Sequence, residues 1–195
     1  MDDPPTYSRL YDTASVYGWI SILLHWTTAG IIIALWFIGK SIMGLDTGDV
    51  DERRALHVSI AASAWLLLVF RAIWRFRSGH PHVRGQSAFI HRVAKFTHYA
   101  VLGVILSMLL SGPLMVWSRG NPINLFGILS IPTPLTASES LSQVAWFLHS
   151  NAAMLLFWLV LLHIAGALKH LMFHSDDTVA RMIWPGRNKS RGGES

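Results

Sequence analysis

A chain of 195 residues in which 52% are hydrophobic and only 14% charged lies far below the ~25% charged residues of soluble domains, and its mean hydropathy is +0.40, so an ordinary soluble globule is not expected. The absence of cysteine excludes disulfides, Cys-ligated iron–sulfur clusters, thiolate zinc sites and covalently attached c-type haem. Ten histidines in so apolar a chain are what composition leaves to be explained.

Residues 1–18 form a short N-terminal segment. Asp2 and Asp3 stand where a signal peptide needs positive charge, so no cleavable signal is expected. Four stretches then approach the ~20 apolar residues that cross a hydrocarbon core. Trp19 to Ile38 carries one ionisable group, His25. His57 to Trp74 begins with His57 and carries Arg71 near its end. Phe96 to Trp117 carries His98, and Leu141 to Leu168 carries His149 and His163. The ten-residue alternation of a β-barrel is missing, and lipid offers no water to open backbone groups, so the fold class is all-α: an integral membrane four-helix bundle, one domain over residues 19–174.

The connections carry their own signals. Lys40 to Leu56 reads as a loop with Asp46, Asp49, Asp51 and Glu52. Arg75 to Lys95 is a basic loop containing Gly79-His80-Pro81-His82. Gly112-Pro113 is expected to kink or end regular helix. Ser118 to Ser140 is a longer loop rich in Pro, Gly and Ser, and Ser138-Glu139-Ser140 is expected to cap the fourth helix. Residues 175–195 read as a short surface helix, capped by Ser175-Asp176-Asp177 and ended by Pro185-Gly186, with Val179, Met182 and Ile183 on the membrane, followed by a disordered tail.

Of the 16 Lys and Arg residues, twelve fall on one side of the four spans, against Lys40, Arg53, Arg54 and Arg119 on the other. The excess places both termini in the cytoplasm. The net charge of +5 is thus a topology signal suited to anionic lipid, not a sign of nucleic acid.

Ionisable residues inside a span tend to face the bundle interior and to work there. His149 and His163 are offset by only about 40° on a helix and separated by ~21 Å along it, so one helix presents two imidazoles at two depths. His25, ~9 Å inside the cytoplasmic end of its span, is level with His163. His57 is level with His149. Two imidazole pairs at opposite sides of a membrane are what bis-His axial ligation of two stacked b-type haems needs, and four-helix bundles hold cofactors from facing helices in this way. Haem propionates call for cations. Arg71 shares the face of His57 at the inner depth, Arg75 is one turn further, and Arg53 and Arg54 precede His57 by about a turn. Gly30, Gly103, Gly112 and Gly166 lack the side chains that would obstruct a flat macrocycle. His98, three residues into its span, competes with His25 or His163 as a ligand; otherwise it bonds a propionate, a quinone or a neighbouring helix. His80 and His82 read as solvated loop, and His91, His170 and His174 as interfacial. Tryptophans near span ends read as an aromatic belt.

These residues together resemble the prokaryotic cytochrome b561 family, small four-helix di-haem membrane cytochromes. The similar pieces are Tyr7-Ser8-Arg9, Leu24-His25-Trp26, Leu56-His57-Val58-Ser59, Arg119-Gly120-Asn121-Pro122 with Phe126-Gly127, Leu148-His149, Leu162-His163 and Asp176 to Pro185. The resemblance implies one non-covalent, bis-His haem b between His25 and His163 and another between His57 and His149. It implies electron transfer between a donor, the haems and a quinone pool, with ubiquinone as acceptor. Some close relatives are similar to superoxide oxidases, which take an electron from superoxide at the outer face. The same bundle resembles the cytochrome subunits that anchor formate dehydrogenases and hydrogenases, which would add a redox partner protein. Arg119 falls in a family-like loop, where the resemblance implies a role near the outer haem or substrate entry, with a plain loop contact as the alternative. Charge counting does not support steering of an anion, because the first outer loop is acidic. The competing class is a His-lined metal or proton transporter, which the lack of carboxylates in the four apolar stretches disfavours. The oligomeric state is not encoded in any of these signals.

Overall fold

The computed structural model describes residues 10–13, 16–43, 47–78, 88–169, 171–172 and 179–185. Four long helices account for most of them: α1 (Trp19–Ile42), α2 (Thr47–Arg77), α3 (Ala88–Trp117) and α4 (Glu139–Lys169). Each is long and apolar enough to cross a membrane, as the composition requires. Between α3 and α4 lies an antiparallel hairpin of β1 (Ile123–Leu125) and β2 (Leu129–Ile131).

The helices outrun the apolar stretches that announce them. α2 begins at Thr47 instead of His57, and α1 continues to Ile42, so the expected loop from Lys40 to Leu56 shrinks to a few residues. At 31 residues, α2 is ~46 Å long against a hydrocarbon core of ~30 Å. Its polar first turns therefore stand beyond the lipid tails, where Asp49 complements the helix dipole. Arg54 Nη1 donates to Asp51 Oδ1 at 2.6 Å. α3 likewise starts at Ala88, ahead of Phe96.

Pro113 does not end α3, which runs on to Trp117. Proline removes the N–H that would have bonded the carbonyl four residues earlier, that of Leu109. Trp65 of α2 donates its indole N–H to that carbonyl at 3.0 Å. Ser138 caps α4 as expected: its Oγ accepts the Leu141 N–H at 3.4 Å and its carbonyl the Ser142 N–H at 3.0 Å. Of the expected helix from Ser175 to Trp184, the described part is a single 3-10 turn, Ala180–Met182; the Ser175-Asp176-Asp177 cap lies outside the described residues.

The chain divides into two compact units. One gathers Thr28–Phe70 and Leu102–Phe157. Its core is Ala64, Leu68 and Leu109, with Ile31, Ile32, Trp65, Val69, Ile105 and Leu106 packed on them. Trp36 stacks on Phe157 with ring centres 4.7 Å apart. The other unit gathers Met1–Thr27, Arg71–Val101 and Trp158–Ser195. There Asp12 organises the start of α1. Its Oδ1 accepts the Gly18 N–H at 2.8 Å and its Oδ2 the Ser21 hydroxyl at 2.7 Å, while Ser21 Oγ accepts the Trp74 indole N–H at 2.8 Å. Tyr11 stacks on Trp74. Gly18 is required because a Cβ there would collide with the Leu10 and Tyr11 backbone. Beside His25, Trp26 donates its indole N–H to the Met182 carbonyl at 2.6 Å, which ties the 3-10 turn to α1. Many large apolar side chains, among them Leu23, Phe37, Leu66, Phe96, Leu110 and Trp158, stay exposed, as lipid-facing positions do.

Candidate functional site

In the first unit, His57 of α2 and His149 of α4 bring their rings together with centres 6.4 Å apart and planes at 84°. Each ring rests on a glycine of a neighbouring helix. A Cβ built on Gly39 of α1 would sit 3.4 Å from His57 Cε1 and 3.6 Å from its Nδ1, and one on Gly112 of α3 would sit 3.5 Å from His149 Cε1 and 3.7 Å from its Nδ1. Both rings therefore turn the same Nδ1–Cε1 edge toward bare backbone. Ser111 Oγ lies 3.2 Å from His149 Nδ1, which occupies that nitrogen and leaves Nε2 for another partner. His57 Nδ1 is buried with no hydrogen-bond partner.

In the second unit, His25 of α1 faces His163 of α4 with ring centres 6.2 Å apart and planes at 58°. His98 of α3 approaches His163 more closely, at 5.1 Å edge to face. Its Nδ1 is 2.6 Å from the Ala94 carbonyl of its own helix, so that nitrogen carries the proton and donates. Arg71 is partly buried within electrostatic reach of His25, Asp12 and Tyr17, and its Nη1 has no hydrogen-bond partner. Arg75 lies with its guanidinium 5.9 Å from the Tyr17 ring centre. A partly buried guanidinium with an unmet donor suits a carboxylate.

A haem fits these donors. A metal ion held between two imidazoles by bonds of about 2 Å needs the ring centres about 6 Å apart. The His25–His163 and His57–His149 rings, with centres 6.2 and 6.4 Å apart, leave that space, and His98 lies closer to His163, at 5.1 Å. Among the described residues no group of three or more His, Cys, Asp or Glu gathers to hold a metal ion. Two imidazoles at a time suit an ion whose other ligands come from a macrocycle. At Gly30, Gly103 and Gly166 an added Cβ would meet nothing within 4 Å.

The remaining predicted site residues lie apart from the rings or outside the described residues. Arg53 and Arg54 are exposed on the early turns of α2, with Arg54 engaged by Asp51. Arg119 follows α3, donates its Nε–H to Ser142 Oγ at 3.0 Å, and borders a shallow, open depression with Ser142, Gln143, Trp146 and Phe147. His80, His82, His170 and His174, and the side chain of His91, lie outside the described residues. The sequence carries no separate signal for Gly39, Ser111 and Ser59 as ring or loop supports. One glycine or serine in a helix has no periodicity of its own, and only the partner helix gives it a task.

Four membrane-crossing helices that hold imidazoles in facing pairs define a helical membrane protein of the cofactor-binding bundle class. The chain is 30% identical over 175 residues, 88% of its own length and 93% of the relative's, to cytochrome b561 homolog 2 of Escherichia coli (strain K12). A family model described as prokaryotic cytochrome b561 matches residues 16–185. The chain therefore belongs to the prokaryotic cytochrome b561 family, whose members are membrane electron-transfer proteins carrying b-type haem.

Proposed function

We propose that the chain is a di-haem cytochrome b of a bacterial inner membrane, with both termini in the cytoplasm, that passes electrons from a donor to the ubiquinone pool. In this reading His25 and His163 hold one haem non-covalently and His57 and His149 the other. The observation that carries it is the pair of facing imidazole couples, with ring centres 6.2 and 6.4 Å apart, each of which would hold one haem iron. A b-type haem held by these residues would supply a one-electron iron couple suited to electron transfer.

The chain's own residues do the rest. Ser111 holds the His149 ring in one orientation. Arg71 and Arg75 would supply cations for the propionates beside His25; at the other haem Arg53, about one turn before His57 on α2, is the candidate, Arg54 being held by Asp51. The depression at Arg119 receives the donor. Trp146 in its wall stands one turn before His149 on α4, and the arginine favours an anion. Superoxide is the anionic donor tested first.

Pyridine haemochrome quantitation on the purified chain is expected to give two b haems per polypeptide, and fewer than two overturns the paired scheme. Stopped-flow mixing with superoxide is expected to reduce the oxidised protein, and a ubiquinone analogue to reoxidise it. Haems that stay oxidised remove superoxide as donor without touching the ligand assignment. Reporter fusions to each end test the cytoplasmic placement of the termini.

A further inference from the structure

The chain holds 16 basic and 11 acidic residues, yet none falls between Arg119 and Glu139. A water-exposed loop of that length has no reason to avoid charge. The hairpin within it is amphipathic in the period of a strand. Its register pairs Ile123 with Ile131, Asn124 with Ser130 and Leu125 with Leu129, so one face carries four aliphatic side chains and the other Asn124 and Ser130. Only β1 has its apolar side covered. Ile123 is 5% exposed, whereas Leu129 is 57% exposed and Ile128, at the tip, 90%.

The tip is also strained in a telling way. The Ile128 N–H bonds the Leu125 carbonyl at 2.9 Å, and both residues at the centre of this turn have positive φ, Phe126 at 51° and Gly127 at 71°. Turns of this kind want Asn or Asp before Gly. Phe126 is the only non-glycine with positive φ among the described residues, and its ring is more than half exposed. A bulky aromatic kept at a backbone cost and left uncovered calls for a partner off the protein.

The depth of the hairpin names the partner. Ser59, buried on α2, donates its hydroxyl to the Asn124 carbonyl at 3.0 Å and accepts the Phe126 N–H at 3.0 Å. It lies five residues past Arg54, the last charged residue before Arg71, or ~7.5 Å further along the helix. The hairpin is therefore pinned to the part of α2 where the membrane-crossing stretch has already begun. A two-stranded hairpin is not closed on itself, and open sheet edges are not accommodated in the hydrocarbon centre, which leaves the boundary between headgroups and acyl chains.

We propose that the β1–β2 hairpin is a lipid-inserted wedge, with Phe126, Ile128 and Leu129 seated among the acyl chains at the membrane boundary. The chain has no cysteine, so single nitroxide labels can be placed without further change. Ile128→Cys is labelled in the full chain, in vesicles of phosphatidylethanolamine and phosphatidylglycerol. Glu52→Cys, exposed on the first turns of α2, is the aqueous reference, and Leu66→Cys, exposed in mid-span, is the lipid reference. Power saturation with oxygen and with a water-soluble nickel chelate reads the depth. The oxygen-to-nickel accessibility ratio at Ile128 is expected to exceed that at Glu52 several-fold and to approach that at Leu66. A ratio equal to that at Glu52 places the hairpin in water and overturns the proposal. Shielding from both relaxants overturns it in favour of a protein partner, such as a second copy. The readout is independent of haem content and of any electron donor.

Discussion

Trp65 donates its indole N–H to the carbonyl of Leu109, the acceptor that Pro113 leaves open one turn further along α3. A buried carbonyl that loses a hydrogen-bond partner costs about 1–3 kcal/mol. For a chain of this length that lowers Tm by about 2–10 °C. Trp65→Phe, which keeps an aromatic ring but no N–H, is expected to show this loss in a thermal melt of the reconstituted protein. Pro113→Ala restores the intrahelical donor, so the double variant is expected to recover most of the loss. Purely additive losses in the two variants would show that the indole bond does not serve the proline gap.

Ligand variants separate the candidate histidines. His57→Ala and His149→Ala should each lower the haem content from two to one per chain, and so should His25→Ala and His163→Ala. His98→Leu should leave it at two, because its ring approaches His163 at 5.1 Å, closer than the rings of either proposed ligand pair approach each other. Pyridine haemochrome content and the Soret amplitude per polypeptide decide. Loss of one haem in His98→Leu would transfer a ligand role from His25 to His98.

The parts legible in the sequence were those set by one helix at a time. Four apolar stretches gave four helices because lipid permits little else, and the facing of His149 and His163 followed from their spacing on α4. Helix ends were not legible. Asp49, Asp51, Glu52, Arg53 and Arg54 end an apolar stretch without ending a helix whose hydrogen bonds are satisfied internally and whose first turns stand in water. Continuation through Pro113 depended on an indole from another helix. The hairpin was hidden in a segment that Pro, Gly and Ser made look like plain loop, although its Ile, Leu and Phe residues alternate with Asn and Ser around a Gly. Rings resting on Gly39 and Gly112 require knowing which helix lies opposite, which composition and period do not give.

Ser111 sits 3.2 Å from His149 Nδ1. With Nε2 on a metal, Nδ1 bears the proton and donates to the serine, which makes the imidazole a stronger donor and favours the oxidised iron. Removing a neutral hydrogen bond of about 0.5–1.5 kcal/mol corresponds to about 20–60 mV for one electron. Ser111→Ala is therefore expected to raise one of the two midpoint potentials by that amount in a redox titration, with haem content unchanged. A fall, or no movement in either potential, would contradict the bond's direction. Ser111→Thr keeps the hydroxyl and should stay near the parent value.

Gly39 and Gly112 test how tightly the ring edges are seated. The contacts of a built Cβ, 3.4 and 3.6 Å to His57 and 3.5 and 3.7 Å to His149, are ordinary van der Waals distances, so alanine should be accepted at either position with haem content near two. Leucine adds three carbons beyond Cβ, and close-packed surroundings give them no room without moving a neighbour. The nearest atoms to be moved are those of the imidazole. Gly39→Leu and Gly112→Leu are therefore expected to lose or perturb the haem held by His57 and His149, with a broadened or shifted Soret band, while the signal tied to His25 and His163 persists. Far-ultraviolet circular dichroism guards against simple unfolding. If leucine at both positions left content, spectrum and potentials unchanged, the two rings would not be braced by these backbones, and their orientation would have to come from Ser111 on one side alone.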